Sequence, residues 1–174
     1  FILDGHCDQF TDKVKAIVPT VTQITIDTYK IVRKRLMPTP AKFHYSFNLR
    51  DLSKIFQGLC QASMEKYNRA RHMLRLWRHE CSRVFCDRMI SPQDKELISG
   101  VLEGQINEHF EKELRYVMQN PLIYGDYWAA CSEEEARLYE DLQDYELCKS
   151  LFQELIEAYN ESEGKMDLVL FNDA

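Results

Sequence analysis

The chain has 174 residues, of which 45% are hydrophobic and 29% are charged, and its formal net charge is −6. This length fits one compact domain, or one domain with pieces of its neighbours, and the apolar fraction is sufficient for a core. No apolar run approaches the ~20 residues that a membrane-spanning helix needs, and no basic stretch near Phe1 predicts a signal peptide. Because the first residue is not Met and residues 170–174 are typical of the interior of an element, we expect a piece of a longer protein.

Apolar residues recur at helical spacing in several segments, which predicts a helical bundle. The expected helices are Thr20–Leu36, Leu49 to about Met64, about Arg69–Met89, a helix that starts at Ser91-Pro92 and runs to about Met118, and about Asp144–Glu161. The first of these is rich in β-branched residues, so periodicity alone leaves a strand open there. Asn120-Pro121 ends the fourth helix, an aromatic loop follows over residues 122–131, and Ser132 with Glu135 is expected to cap a short turn. No segment alternates as a strand should.

Details within these helices carry further expectations. In the fourth helix, Gly100 and Gly104 either weaken the helix or permit close helix packing. Trp77 lies on the apolar stripe of the third helix and is expected in the core. In the last helix, Leu147 and Tyr159 are expected to face inward with the rest of an apolar stripe.

Charge and cysteine are distributed unevenly. Residues 1–90 contain 16 Lys and Arg against 8 Asp and Glu, and residues 91–174 contain 6 against 20. The two halves therefore either face each other across a bundle or face different neighbours. The six cysteines show no CxxC spacing, which predicts reduced, buried thiols and neither a disulfide framework nor a zinc site. They are Cys7, Cys60, Cys81, Cys86, Cys131 and Cys148.

The clearest local signals begin before Leu49. Asn48 is a good N-cap, and Asp51 follows three residues later as a variant of the capping box. Arg50 is a cation in the first helical turn, where the dipole favours anions by ~0.3–1 kcal/mol, and Lys54 adds a like charge one turn later. A helix start with an arginine suits a phosphate group, whereas the alternative is a surface ion pair with a neighbouring carboxylate.

Four segments, in order, resemble dynein heavy chains of the axonemal type. HYSFNLRDLSKIFQGL at 44–59 resembles the segment that opens the small α-helical lid domain of the third AAA+ module. LMPTP at 36–40 resembles the LLPTP exit from the preceding helix, and RLWRHECSRVFCDR at 75–88 resembles the RLWxHExxRVFxDR helix. YN at 159–160, followed by MDLVLFNDA at 166–174, resembles the run that leads into the fourth module. The resemblance covers essentially the whole chain.

This resemblance implies an all-α fold, an AAA+ lid domain with flanking helices, and it favours helix over strand at residues 20–36. Residues 1–40 would be the end of the AAA+ large domain and its connecting helix. Residues 41–163 would form the lid, and residues 164–174 would start the helix that enters the next module. The chain would then be a regulatory and structural piece of an axonemal motor.

The resemblance also assigns a site. Arg50 matches the sensor-2 arginine of AAA+ lids, which reaches toward nucleotide phosphates held by the large domain, and Asn48 with Asp51 would support it as the helix cap. The lid would pass nucleotide-dependent rotation around a ring that drives ATP-powered microtubule movement in cilia and flagella, so the expected location is the cytoskeleton of the axoneme, in the cytoplasm. The expected partners are its own large domain and the fourth module, with light and intermediate chains and microtubules reached through the parent protein.

The chain is not expected to catalyse a reaction alone. It contains no GxxxxGK[ST] phosphate loop and no strand that ends in paired acids, so we expect no catalytic residue, no metal and no cofactor bound by this piece. ATP or ADP with Mg²⁺ would belong to the parent module. Neither membrane nor nucleic-acid partners are expected.

A second hypothesis rests on the basic helix at residues 69–88. It contains six arginines, Arg69, Arg71, Arg75, Arg78, Arg83 and Arg88. These could serve a non-enzymatic helical adaptor or a nucleic-acid-binding module. The simpler interpretation is a solvated face, or a face that meets the acidic second half of the chain.

Overall fold

The computed structural model describes residues 2–129 and 136–169, and helices dominate these residues. The helices are α1 (Ile2–Cys7), α2 (Asp12–Lys15), α3 (Val18–Arg35), α4 (Leu49–Leu59), α5 (Ala70–Phe85), α6 (Pro92–Phe110), α7 (Leu114–Val117) and α8 (Tyr145–Ser162), with 3₁₀ turns at Pro40–Lys42 and Glu111–Glu113. The strands β1 (Tyr124–Gly125) and β2 (Glu140–Asp141) form one antiparallel pair. The all-α prediction is therefore confirmed, apart from this small sheet. Its strands have two residues each, which is too short for an alternating pattern to show in the sequence. The chain divides into two compact units, residues 1–119 and 120–174.

The core of the first unit is built around the indole of Trp77 on α5, which is fully buried, as predicted. Its Nε1–H donates to the Thr25 hydroxyl on α3 at 2.8 Å, and that hydroxyl donates to the Val21 carbonyl at 2.6 Å. Both groups of this buried chain are therefore satisfied, which removes the cost of placing an indole N–H and a hydroxyl in the core.

Helix α4 lies against α5 at a glycine. Gly58 faces the carboxylate of Glu80, and a Cβ at this position would overlap that carboxylate and lie 2.7 Å from Glu80 Cγ. Glu80 is only 1% exposed, and it accepts from Arg83 Nη2 at 2.6 Å and Nε at 3.1 Å. An alanine at position 58 would therefore require the Glu80 side chain or one of the two helices to shift.

Three predicted helices are shorter than expected. The third, α5, ends at Phe85 rather than at about Met89. α4 ends at Leu59 rather than Met64, because the chain turns after it and buries Ala62. The long fourth helix is interrupted: Phe110 leaves helical geometry at φ −143° and ψ 43°, and a 3₁₀ turn then leads into α7. This break redirects the chain so that Val117 is buried.

Gly100 and Gly104 lie in α6 with no other atom within 4 Å of an added Cβ. Within the described residues they therefore do not serve close helix packing, and the alternative, that they weaken the helix, stays a prediction.

In the second unit, β1 and β2 pair with Tyr124 opposite Asp141. The Tyr127 ring packs edge-on against Phe152 of α8, with 5.0 Å between ring centroids. Asp144 caps α8 by accepting from the Glu146 N–H at 2.9 Å.

Helix α8 has the predicted bounds to within a residue, but its inward face differs. Cys148 and Leu151 are buried, whereas Leu147 and Tyr159 are 52% and 45% exposed, so the prediction that these two face inward is wrong. The buried stripe is narrow and follows the i, i+3 pair, which leaves the flanking apolar residues outside. Gly164 follows the helix at φ +152°, a conformation that favours glycine.

The cysteines within the described residues are free thiols. Cys7, Cys81 and Cys148 are buried as predicted, and Cys60 and Cys86 are half-buried. Burial raises the pKa of Cys7 and of Cys86 to about 11 and raises that of Cys81 well above its usual value. Cys131, the expected turn at Ser132–Glu135 and residues 170–174 lie outside the described residues. Across residues 2–129 and 136–169, every helix is too short or too polar to cross a membrane.

Candidate functional site

The start of α4 is a complete capping box, as predicted. Asn48 has extended backbone geometry, and its side-chain oxygen accepts from the Arg50 N–H at 2.8 Å. The Asp51 carboxylate in turn accepts from the Asn48 N–H at 2.9 Å. Two backbone donors that the helix leaves unpaired are thus satisfied, and the first turn is fixed.

This capped turn presents Arg50 to solvent. Arg50 is exposed, and within the described residues its guanidinium has neither a hydrogen-bond nor an ion-pair partner. The surface ion pair that the sequence left open is therefore not formed in this part of the chain. Lys54, one turn later, is also exposed and adds a second positive charge.

Leu49 lies beside Arg50 and is 72% exposed, although it is the first apolar residue of the predicted helix. It occupies the first position of the helix, and the buried residues of α4 begin two positions later, at Asp51. An exposed leucine beside an exposed arginine is a surface suited to another protein element and an anion.

Sequence reasoning missed the partner of the cap. Arg88 lies beyond the end of α5, and its Nη2 donates to Asp51 Oδ1 at 2.6 Å. Asp51 is buried, so its carboxylate is not available to Arg50. The sequence offered no signal for this pair, because an acid at the third helical position is already explained by the capping box.

A second polar cluster holds the segment that precedes the cap. Asp94, in the first turn of α6, accepts from the Tyr45 hydroxyl at 2.7 Å and from the Lys42 ammonium. These donors lower the pKa of Asp94, with Lys42 the larger cause, and Asp94 raises the pKa of Lys42. The predicted cap of α6 is also present, since the Ser91 hydroxyl accepts from the Asp94 N–H at 3.2 Å.

The basic helix is not a uniform solvated face. Arg75 and Arg78 are 4% and 8% exposed, so the expectation of a solvated surface is wrong for both. Arg75 Nη1 donates to the Gln119 carbonyl at 2.6 Å, and Arg78 Nη1 donates to the Val117 carbonyl at 2.9 Å. Carbonyls at a helix C-terminus carry partial negative charge, which explains why α7 ends on these arginines.

Three other arginines of the basic stretch at residues 69–88 also have partners. Arg83 pairs with Glu80, Arg88 pairs with Asp51, and the guanidinium of Arg71 lies 4.8 Å from the Tyr116 ring centroid. Few charges are therefore left to bind phosphates, which weighs against the nucleic-acid hypothesis.

The chemistry available at this site is binding rather than catalysis. Arg50 is a permanently charged donor with no acceptor function, so it can bind a phosphate or carboxylate but cannot transfer a proton. Within residues 2–129 and 136–169, His, Cys, Asp and Glu form no group of three or more that could hold a metal ion.

Comparison with known sequences defines the class of protein first. A family model described as "AAA+ lid domain" matches residues 21–119, which is more than half of the chain. The matched residues include the capped start of α4 and all of α5 and α6.

Relatives then identify the kind of protein. Along 99% of its length the chain is 47% identical to "Dynein axonemal heavy chain 10" of Homo sapiens and 39% identical to "Dynein axonemal heavy chain 2" of Mus musculus. It is 36% identical, also over 99% of its length, to "Dynein-1-alpha heavy chain, flagellar inner arm I1 complex" of Chlamydomonas reinhardtii. The chain belongs to the axonemal dynein heavy chain family and carries its AAA+ lid domain. It spans about 4% of the length of each of these relatives.

Proposed function

We propose that this chain is the lid of the third AAA+ module of an axonemal dynein heavy chain and that Arg50 senses the nucleotide of that module. The nucleotide would be ATP or ADP with Mg²⁺, held by a large domain that lies mostly outside these 174 residues. The parent protein would be an ATP-driven motor on the microtubules of cilia and flagella.

One observation carries this proposal: Arg50 is exposed and unpaired within the described residues, while the Asn48 and Asp51 side chains beside it are both hydrogen-bonded. A guanidinium held out on a rigid turn costs little to desolvate against an anion and forms strong, bidentate contacts with phosphate. Lys54 and the amino end of the helix add positive potential in the same place.

The proposed mechanism is mechanical. When the large domain holds a triphosphate, Arg50 binds to it and draws the lid toward the large domain; when the phosphate leaves, the lid is released. The lid passes this rotation to the fourth module. The nucleotide shifts the population between two lid positions because it binds more tightly to one of them.

The test is nucleotide binding by the parent motor, with only the third module left able to bind nucleotide. We expect Arg50→Ala to weaken nucleotide affinity by about tenfold or more, because a charge-assisted hydrogen bond is lost, and Arg50→Lys to recover part of it. Arg33, exposed in the last turn of α3, provides a matched control: Arg33→Ala should leave affinity unchanged.

A stability measurement separates sensing from structure. The Arg50 side chain has no partner within the described residues, so Arg50→Ala should leave the unfolding free energy of this chain unchanged or raise it by a few tenths of a kcal/mol through the helix dipole. If Arg50→Ala instead unfolds the lid, or if nucleotide affinity does not change, the sensing role is wrong.

The assignment to the third module has its own test. It rests on the four ordered motifs that resemble this module and requires a GxxxxGK[ST] loop a few tens of residues after Ala174 in the parent sequence. An unrelated sequence at that position would overturn the assignment without affecting the lid fold.

A further inference from the structure

Arg88 is attached to the turn that carries Arg50, although 38 positions separate the two residues in the chain. Its Nη2 donates to Asp51 Oδ1 at 2.6 Å and its Nη1 donates to the Ser46 carbonyl at 3.2 Å. Its guanidinium also lies 5.1 Å from the Phe47 ring centroid. One side chain therefore contacts both the segment before the cap and the first turn after it.

The Asp51 carboxylate is shared between two roles. Oδ1 accepts from Arg88 Nη2, and Oδ2 accepts from the Asn48 N–H, which closes the capping box, and also from Arg88 Nη1 at 3.5 Å. Since Asn48 in turn accepts from the Arg50 N–H, the contacts form a continuous chain from Arg88 to the backbone of Arg50. Removing the guanidinium would leave a buried carboxylate with its charge uncompensated, and that carboxylate would turn outward or take up a proton.

A second set of contacts fixes the same segment. His44 Nε2 lies 3.1 Å from the Arg88 carbonyl oxygen, so the backbone of this arginine is held as well as its side chain. The Tyr45 hydroxyl accepts from the Ile90 N–H at 3.2 Å while it donates to Asp94. Residues 44–47, which precede α4, are thus bound to the connection between α5 and α6.

From these contacts we infer that Arg88 is a positioning residue: it fixes the direction in which Arg50 projects, by tying the first turn of α4 to the connection between α5 and α6. This inference rests on the proposed function for its consequence at the nucleotide, but the geometry it claims belongs to this chain alone. Arg88 itself would not touch the nucleotide, since its guanidinium is occupied by Asp51 and Ser46.

The first experiment measures amide hydrogen exchange in the 174-residue chain. We expect Arg88→Ala to reduce protection of the Asn48 and Arg50 amides by about tenfold or more relative to amides in the middle of α5, because both depend on the capping box. Arg88→Lys keeps the positive charge but loses the planar guanidinium that donates through two nitrogens, so it should recover part of the protection. Unchanged protection at both amides would overturn the inference.

Arg83 supplies the matched control for general loss of stability. It also pairs with a buried carboxylate, that of Glu80, which faces Gly58 near the other end of α4. Arg83→Ala should therefore lower stability without a selective effect on the Asn48 and Arg50 amides. An equal selective loss in both variants would mean that the cap responds only to overall stability, and the positioning role would be wrong.

The second experiment is a double-mutant cycle on nucleotide affinity in the parent motor. If Arg88 acts through Arg50, Arg88→Ala weakens binding in the wild-type background and has no further effect in the Arg50→Ala background. Additive losses would overturn the inference while leaving the sensing role intact. If Arg50→Ala alone has no effect, the proposed function fails, and the exchange data still decide whether Arg88 positions the turn.

Discussion

The contact between Gly58 and Glu80 predicts how the packing of α4 against α5 responds to a larger residue at position 58. In an exposed helix interior, Gly→Ala stabilises by about 0.5–1 kcal/mol, because alanine loses less backbone entropy. At Gly58 the added methyl meets the Glu80 carboxylate, which is 1% exposed and bound to Arg83. Forcing α4 and α5 apart, or moving that carboxylate, costs about 1–3 kcal/mol by overpacking and a similar amount in weakened charged hydrogen bonds.

We therefore expect Gly58→Ala to lower the free energy of unfolding by about 1–5 kcal/mol, as the difference between these opposing contributions. The assay is urea denaturation followed by far-ultraviolet circular dichroism, with the slope of the transition checked for two-state behaviour. Gly100→Ala and Gly104→Ala are the matched controls, since an added Cβ meets no atom within 4 Å at either position. Each control should gain about 0.5–1 kcal/mol.

A second background identifies the cause. Glu80→Ala removes the atoms that collide with the new methyl, so Gly58→Ala should become stabilising in that background. If Gly58→Ala stabilises the wild-type chain as much as Gly100→Ala does, the Glu80 side chain moves aside without cost and the close approach of α4 and α5 is not what holds the two helices together.

Two further predictions concern the buried and charged contacts. Thr25→Val should cost about 1–3 kcal/mol in unfolding free energy because it leaves the Trp77 N–H buried without an acceptor, whereas Thr22→Val, which removes a hydroxyl bonded only to its own helix, should cost much less. Asp94 has a folded-state pKa below its usual 3.8, so its contribution is complete above that value and is lost as the pH falls through the folded pKa. The difference in unfolding free energy between wild type and Asp94→Asn should therefore be constant from about pH 5 to 8 and shrink below about pH 4, and a difference independent of pH down to 2 would show that the contact with Lys42 does not stabilise the fold.

The features that the sequence predicted correctly depend on neighbours in the chain. The Asn48–Asp51 capping box and the Ser91 cap involve residues three positions apart, and such pairs act in any surroundings. Trp77 was placed in the core by its spacing along one helix face, and it is fully buried. Local pattern and observed structure agree here because the same short-range physics determines both.

The features that the sequence did not predict depend on distant partners. Arg75, Arg78 and Arg88 share one residue type in one basic stretch, yet two bind carbonyls 44 and 39 residues away and the third binds a carboxylate 37 residues away. Nothing in their spacing distinguishes these partners from solvent. The break after Phe110 was also missed. The helical spacing of apolar residues continues through this point, whereas the backbone leaves helical geometry there.

The role proposed for the candidate site follows from this combination of local and distant contacts. Helix ends fray, and an arginine on a frayed turn would follow a phosphate without moving the domain behind it. The turn that carries Arg50 is closed locally by Asn48 and bound by Arg88, and Tyr45 in the preceding segment accepts from the Ile90 N–H. Arg50 is therefore joined to the connection between α5 and α6. A force applied to Arg50 would then act on the helical unit as a whole, which is the requirement for a side chain that converts the presence of a phosphate into the rotation of a lid.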